Sequence, residues 1–210
     1  DPDFREQTKQ KISSDLKFCE KYAPLAYFLA HEWNYRGYGT LSGPVDTCFC
    51  NYCLESFRNF VRAEYGSIAE LNASWGSDFK TWEDVSPIVL ADALKTGQIP
   101  RWIDHRRHAD RVFADFLKFK LNAVRNIDPG AQGIVTSLRV GLTTLDSYSG
   151  VDFWLLYHDA GLVDNLSPYV LSFISRESEK RGLITRNMPM WHPDKNTGDE
   201  NLFRLRLSNK

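Results

Sequence analysis

No apolar run in this 210-residue chain approaches the roughly 20 residues that a membrane-spanning helix needs. The longest lies around Leu25 to Ala30, and a helical bilayer span is excluded. An excess of charge of one sign is also missing: 26 Lys and Arg stand against 27 Asp and Glu, a formal charge of −1. No overall field therefore draws the chain to phosphate backbones or anionic lipid, and neither nucleic acid nor membrane is an expected partner. The chain has no Gly-x-Gly-x-x-Gly or Walker loop after any strand-like segment and no Gly-x-Ser-x-Gly elbow. The signals of dinucleotide binding, phosphate cradling and an α/β-hydrolase serine are thus absent. The first residues, Asp-Pro-Asp-Phe-Arg, do not lead from a basic start into an apolar stretch, so no secretion signal is read there. The chain also begins without Met, as a fragment or a processed product would.

What is present is the composition of a folded domain. Apolar residues make up 42% and charged residues 25%, far from the disordered range. The length suits one domain or part of a larger one. Aromatic residues reach 13%, with six Trp and nine Tyr; their flat faces and polar edges suit sugar rings as well as a core.

Ile12, Leu16 and Cys19 recur at helical spacing among charged residues and predict an amphipathic helix closed by Pro24. The run Leu25-Ala-Tyr-Phe-Leu-Ala30 reads as a strand buried on both faces, as in a parallel sheet. A helix with Leu54, Phe57 and Val61 on one face follows and stops at Tyr65-Gly66. Ser67-Ile-Ala-Glu70 is a capping box that starts a short helix reaching Trp75. From Phe79 to about Arg101, broken by Pro87, Gly97 and Pro100, the pattern predicts a long surface excursion with one turn of helix. A long helix is expected from about Asp104 to Asn126, burying Val112, Phe113, Phe116, Leu117, Leu121 and Val124, with Asp128-Pro-Gly130 as its stop. Strands are predicted at Gly133 to Leu138, Leu162 to Leu166 and Leu183 to Asn187, and helices at Val151 to His158 and Ser172 to Lys180.

Strand alternating with helix implies a parallel sheet with crossover connections. The missing nucleotide loops and the polar residues at strand C-terminal ends favour a (β/α)8 TIM-type barrel over a doubly wound sheet. A whole barrel takes about 250 residues. Residues 1–210 are therefore expected to form part of one barrel domain, of about four β/α units, with loop insertions at about 34–53 and 77–102.

Glu32 follows the first apolar strand, where a barrel delivers side chains into its active-site mouth. Glycosidases need paired carboxyl groups, one of them held protonated by apolar surroundings, and Trp33 and Tyr27 flank this one. The other candidate sugar contacts are Trp33 beside Glu32, His31, His158 and Trp191 at or near strand ends, and Asp164, Asn165 and Tyr169 in or just after the third strand. Each has a plain alternative as a core or capping residue.

Cys48-Phe-Cys50-Asn-Tyr-Cys53 sets three thiols within six residues, suited to wrapping one soft cation from a tight loop. Zinc is the natural ion, in a structural site that pins the loop; Cys19 is the remaining cysteine for a fourth ligand, the other readings being a ligand from outside this segment or a site left incomplete. Three thiols without metal is the alternative. Cysteines kept as thiols favour a soluble, cytoplasmic setting.

Taken in order, the strand ending in Glu32, the cysteine cluster, Phe57-Arg58, Tyr65-Gly-Ser67, Leu71-Asn-Ala-Ser-Trp-Gly76, Trp82 and Asp84 resemble glycoside hydrolase family 42, the barrel β-galactosidases. Asp110, Phe113, Phe116, Asp128-Pro129, Asp152-Phe-Trp154 and Ser167-Pro-Tyr169 extend the resemblance over Leu16 to Tyr169. It implies a carbohydrate substrate with a β-linked sugar, Glu32 as general acid/base, a structural zinc on Cys48, Cys50 and Cys53, and a retaining mechanism through a glycosyl-enzyme intermediate. The remainder of a barrel, or a second copy of the chain, is the implied protein partner. The sequence departs from the family twice. His31 stands where the family has Asn before its acid/base. The stretch Leu183-Ile-Thr-Arg-Asn-Met-Pro-Met190, where the nucleophile is expected, has no carboxylate, leaving Asp194, Glu200 or a residue beyond Lys210 for that role. A non-hydrolytic carbohydrate-binding or catalytically lapsed barrel is the alternative reading.

Overall fold

A computed structural model describes residues 1–19, 22, 24, 27–31, 46, 49–136, 155 and 163–164. In chain order the elements are α1 (Pro2–Cys19), β1 (Tyr27–His31), α2 (Asn51–Tyr65), α3 (Ile68–Trp75), α4 (Leu90–Thr96), α5 (Ile99–Arg125), β2 (Gly133–Thr136) and β3 (Val163–Asp164). The three strands form one parallel sheet in the order β1-β2-β3. Parallel neighbours require a crossover between them, and α5 supplies the last part of the one from β1 to β2.

The first helix is longer than its apolar spacing suggests. Asp1 caps it, its carboxylate accepting from the backbone N–H groups of Asp3 at 2.9 Å and Phe4 at 3.2 Å. Pro2 then fills the first helical position, where a missing N–H costs nothing. α1 and α5 pack against each other and against β1. Leu16, Leu29, Ala30, Phe113, Ala114, Leu117, Leu121, Val124 and Ala131 form this core, which carries most of the stripe expected on α5. Val112 and Phe116 are half-buried rather than core. Tyr27, at the start of β1, donates its hydroxyl to Asp128 at 2.9 Å, tying the strand to the turn that ends α5.

A second core lies between α2, α3 and the segment after them: Phe57, Val61, Leu71, Trp75 and Val85, flanked by Phe60, Tyr65, Ile68, Phe79 and Trp82. The predicted surface excursion is therefore corrected. Val85 has no exposed surface, and the chain around it, though irregular, is held by its polar groups. Asn72 donates to the carbonyl of Phe79 and accepts from its N–H at 2.9 and 3.0 Å, and Arg58 donates to the carbonyl of Val85 at 2.9 Å. Pro100, expected to break the chain, lies instead in the first turn of α5, which starts at Ile99. The capping box forms by half: Ser67 accepts from the Glu70 N–H at 3.2 Å, while the Ser67 N–H donates to the carbonyl of Tyr65 at 2.7 Å.

No helix among the described residues is long and apolar enough to cross a membrane.

Candidate active site at the strand ends

β1 and β2 run in register from Tyr27 opposite Gly133 and Phe28 opposite Ile134, then slip by one, so that Ala30 faces Val135 and His31 faces Thr136. Thr136 in turn faces Asp164 on β3. His31, Thr136 and Asp164 thus form one row across the C-terminal ends of three parallel strands. This is the edge at which parallel β/α folds gather their catalytic groups. By sequence, His31 falls at the end of the first strand and Asp164 in or just after the third; the register sets both in this row. Glu32 is the next residue after the row on β1, and Asn165 the next on β3. Glu32, Trp33, Cys48, His158, Asn165, Tyr169 and Trp191 lie outside the described residues, as do Asp194, Glu200, the stretch 183–190, and all but Leu155 of the helix expected at 151–158.

Between β1 and the barrel-type helix α5 the chain builds the lobe of α2, α3 and α4, seated on the first half of α5. This contact buries a polar cluster that the hydrophobic pattern did not reveal: Asp104, His105, Arg106 and His108 are all buried. Asp104 is its hub. One carboxylate oxygen accepts from the Tyr65 hydroxyl at 2.6 Å and the Trp75 indole N–H at 2.9 Å; the other accepts from Arg107 at 3.0 Å, which also pairs with Glu64 at 3.0 Å. Burial and the Asp104 bond together push the Tyr65 phenol up from its ordinary value, so it stays a donor at neutral pH. The Glu64 bond, more than Asp104, raises Arg107.

His108 meets Ser56 Oγ at 2.9 Å and lies against the rings of Phe57 and Phe60. Burial first, and the neighbouring His105 second, lower it to about 4. It is a neutral imidazole at pH 7. His105 donates from Nδ1 to the carbonyl of Ile88 at 3.3 Å between the rings of Phe49 and Phe57. Arg101, its charged form disfavoured by burial, binds Ser86 and Gln98 at 2.8 Å and lies over Phe79 at 5.0 Å. Asp104, His105 and His108 are each bonded to a residue of the lobe or of the segment after α3, which marks the cluster as the lobe's fastening to α5. Its bonds to Trp75, Tyr65 and Ser56 span 29, 39 and 52 residues, so no local motif could have announced them.

Of the cysteines, Cys50 occupies the N-cap of α2 and Cys53 its first turn. A helix N-terminus favours negative charge, and thiolate donors one turn apart suit a soft cation, so this pair fits the ligand role expected of it. Among the described residues no group of three or more His, Cys, Asp or Glu is gathered to hold a metal; Cys48 is not among them. Cys53 shares a cleft of about 550 Å³ with Asp1, Pro2 and Arg5. Cys19 ends the same helix that Pro2 begins, about 25 Å further along the axis at 1.5 Å per residue. It is not placed to complete a site with Cys53.

Comparison with known proteins gives a consistent result. The family model for glycoside hydrolase family 42, described as beta-galactosidase, matches residues 12–177. Beta-galactosidase BgaA from Planococcus sp. (strain 'SOS Orange') is 26% identical over 158 residues, covering 70% of this chain and 22% of that protein. A thermophilic beta-amylase from Thermoanaerobacterium thermosulfurigenes is 32% identical over 71 residues, covering 34% of this chain and 12% of its own. The crystal structure of a family 42 exo-carrageenase from Bacteroides ovatus superposes with a TM-score of 0.62 at 23% identity, over 79% of this chain and 23% of that one. That likeness shows the fold, a (β/α)8 barrel. The chain spans about a fifth of the length of the beta-galactosidase it matches.

Proposed function

The chain belongs to glycoside hydrolase family 42, and from that premise we propose that it forms part of the catalytic barrel of a retaining glycosidase acting on a β-linked sugar, with Glu32 as general acid/base. The observation that carries this reading is the row His31, Thr136 and Asp164, whose register sets the exit of β1 at the mouth of a parallel sheet. Glu32 is the first residue past that row. A carboxylic acid there would protonate the leaving oxygen in the first step and, as carboxylate, activate water in the second. His31 takes the family's Asn position, where an imidazole N–H donates to a sugar hydroxyl as an amide would. Trp33, Asn165, Tyr169 and Trp191 are assigned to the sugar.

In this reading the segment is a partial barrel of about four β/α units. The open side of β1 supports it: among the described residues β1 pairs with β2 alone, and Phe28 on β1 is 59% exposed. Beside it, Phe4, Ile12, Leu16, Phe116 and Val124 line a groove of about 500 Å³ between α1, β1 and α5. A further barrel strand, from the rest of the same protein, would pair with that edge and cover the groove.

Cys48, Cys50 and Cys53 would hold a structural zinc, whose contribution is to fix the loop after β1. A thiolate-saturated ion leaves no position open for substrate. The fourth ligand would come from outside α1.

The test is stereochemical. Proton NMR of a full-length β-galactoside digest should show the β-anomer of the released sugar first, with the α-anomer appearing only by mutarotation. First release of the α-anomer would refute retention. Sugar binding without hydrolysis would favour the non-hydrolytic reading, which the carboxylate-free stretch 183–190 supports.

A further inference from the structure

The slip between β1 and β2 makes Leu29 an extra residue: Phe28 faces Ile134 and Ala30 faces Val135, adjacent positions on β2 that are answered by residues two apart on β1. A bulge of this kind takes one residue's peptide groups out of the ladder and re-aims the strand beyond it. A backbone carbonyl beside a bulge needs a donor, because an orphaned buried backbone group is costly. Lys120 of α5 provides it, donating its ammonium to the Leu29 carbonyl.

The surroundings show that this placement is specific. Lys120 stands on the same helix face as Phe116, Leu117, Leu121 and Val124, beside the apolar groove. Burial lowers its pKa, so the position disfavours the charge it holds, and an aliphatic residue would suit the groove better. The Leu29 side chain, 2% exposed, turns into the core toward β2. A Cβ on Gly133 would lie 2.5 Å from Leu29 Cδ1 and 3.1 Å from Leu121 Cδ1. The bulge is thus held from both ends, by a lysine at its carbonyl and by a glycine that leaves room for its side chain.

The consequence falls three residues further on. Successive residues of a strand take opposite faces, so a one-residue change of register sends every later side chain to the other side. With the bulge, His31 is the residue that reaches the row with Thr136 and Asp164. Without it, Ala30 rather than His31 would stand opposite Thr136. We infer that Lys120 is a positioning residue for Glu32: its bond to the Leu29 carbonyl holds the bulge that sets the phase in which β1 presents the acid. This rests on the reading of Glu32 as acid/base.

The experiment compares Lys120→Met, Lys120→Arg, Glu32→Gln and the double variant Glu32→Gln/Lys120→Met in the full chain, on aryl β-galactosides with a poor and an activated leaving group. Only the first of these substrates depends strongly on protonation by the acid. Lys120→Met should lose on the order of 100-fold in kcat/KM, which reads the first step alone, on the poor leaving group, with much less loss in kcat/KM on the activated one. Lys120→Arg, which can reach the same carbonyl, should recover most of that. The double variant should be no slower than Glu32→Gln alone, since a displaced acid and an absent one have the same effect. Equal losses of Lys120→Met in kcat/KM on both substrates, unchanged kcat/KM, or multiplying losses in the double variant would overturn the inference while leaving Glu32 as the acid. Full activity of Glu32→Gln on the poor leaving group would instead overturn the acid assignment, and the inference with it. Should Lys120→Met fail to fold, Lys120→Gln, whose amide can donate to the same carbonyl, takes its place, with a smaller loss confined to the poor leaving group expected and a uniform loss contradictory.

Discussion

The indole N–H of Trp75 and the carboxylate of Asp104 meet at 2.9 Å inside the lobe, on the same oxygen that accepts the Tyr65 hydroxyl at 2.6 Å. α2 ends at Tyr65, α3 ends at Trp75, and Asp104 lies on the first turns of α5. One buried carboxylate therefore fastens the ends of two helices to a third. Replacing Asp104 by Ala would remove the acceptor shared by Tyr65 and Trp75, leaving the buried indole N–H only its longer bond to the Tyr65 hydroxyl at 3.2 Å, and would strip Arg107 of one partner. We expect a loss of about 3 kcal/mol by urea denaturation, and a smaller loss for Asn, which keeps one acceptor. A change below about 0.5 kcal/mol for Asp104→Ala would mean the hub is not structural.

His108 makes the lobe sensitive to acid. Its folded-state value of about 4 lies below the ordinary 6.5, so the unfolded chain binds the proton more readily. The stability that neutral His108 contributes is fully present above about pH 6.5 and is lost as pH falls toward 4. The size is roughly 3 kcal/mol at 1.4 kcal/mol per pKa unit. The difference in unfolding free energy between the wild type and His108→Gln should move against the wild type by that order between pH 7 and pH 4. A difference that stays flat across the window would show that His108 is not desolvated as described.

Gly133→Ala probes the core beneath the bulge. The added methyl would meet Leu29 Cδ1 and Leu121 Cδ1, both on buried side chains that have little room to retreat. A cost of about 1 to 3 kcal/mol in thermal or urea unfolding is expected from such overpacking. Stability equal to the wild type would contradict the close approach of Leu29 to β2.

These residues also show what could be read in advance. The run ending at Ala30 announced β1 because a strand buried on both faces has no polar alternation to hide it, and Asp128-Pro129 marked the end of α5 because proline disfavours helix in the residue before it. The row of His31, Thr136 and Asp164 was not legible, because it depends on the register between strands about a hundred and about thirty residues apart. The burial of the first half of α5 was not legible, because Asp104, His105, Arg106 and His108 have the polarity of a solvated face. They are buried by a lobe whose contacts are long-range, and their partners become visible only once α2 and α3 have folded back. Segment 79–89 misled for a related reason: Asn72 and Arg58 satisfy its irregular backbone, so it is interior without being regular. The bulge at Leu29 has no sequence signature at all, since it depends on a lysine 91 residues away.

For the cysteine pair at the start of α2, elemental analysis of the purified full-length protein should find about one zinc per chain, lost in Cys50→Ser and Cys53→Ser. Chelation should lower the melting temperature and leave kcat unchanged well below it, because the ion's work is to hold the loop after β1. A metal-free protein with the same melting temperature would remove zinc from the account.

The central claim is that Glu32, one residue past the row of His31, Thr136 and Asp164, is the acid/base of a glycosidase. Its most direct test is the leaving-group dependence of Glu32→Gln in the full-length protein. Against aryl β-galactosides with poor leaving groups, kcat/KM should fall by about 10²- to 10⁴-fold, and the loss should shrink steadily as the leaving group becomes more acidic. The same rate as the wild type on the poorest leaving group would contradict it.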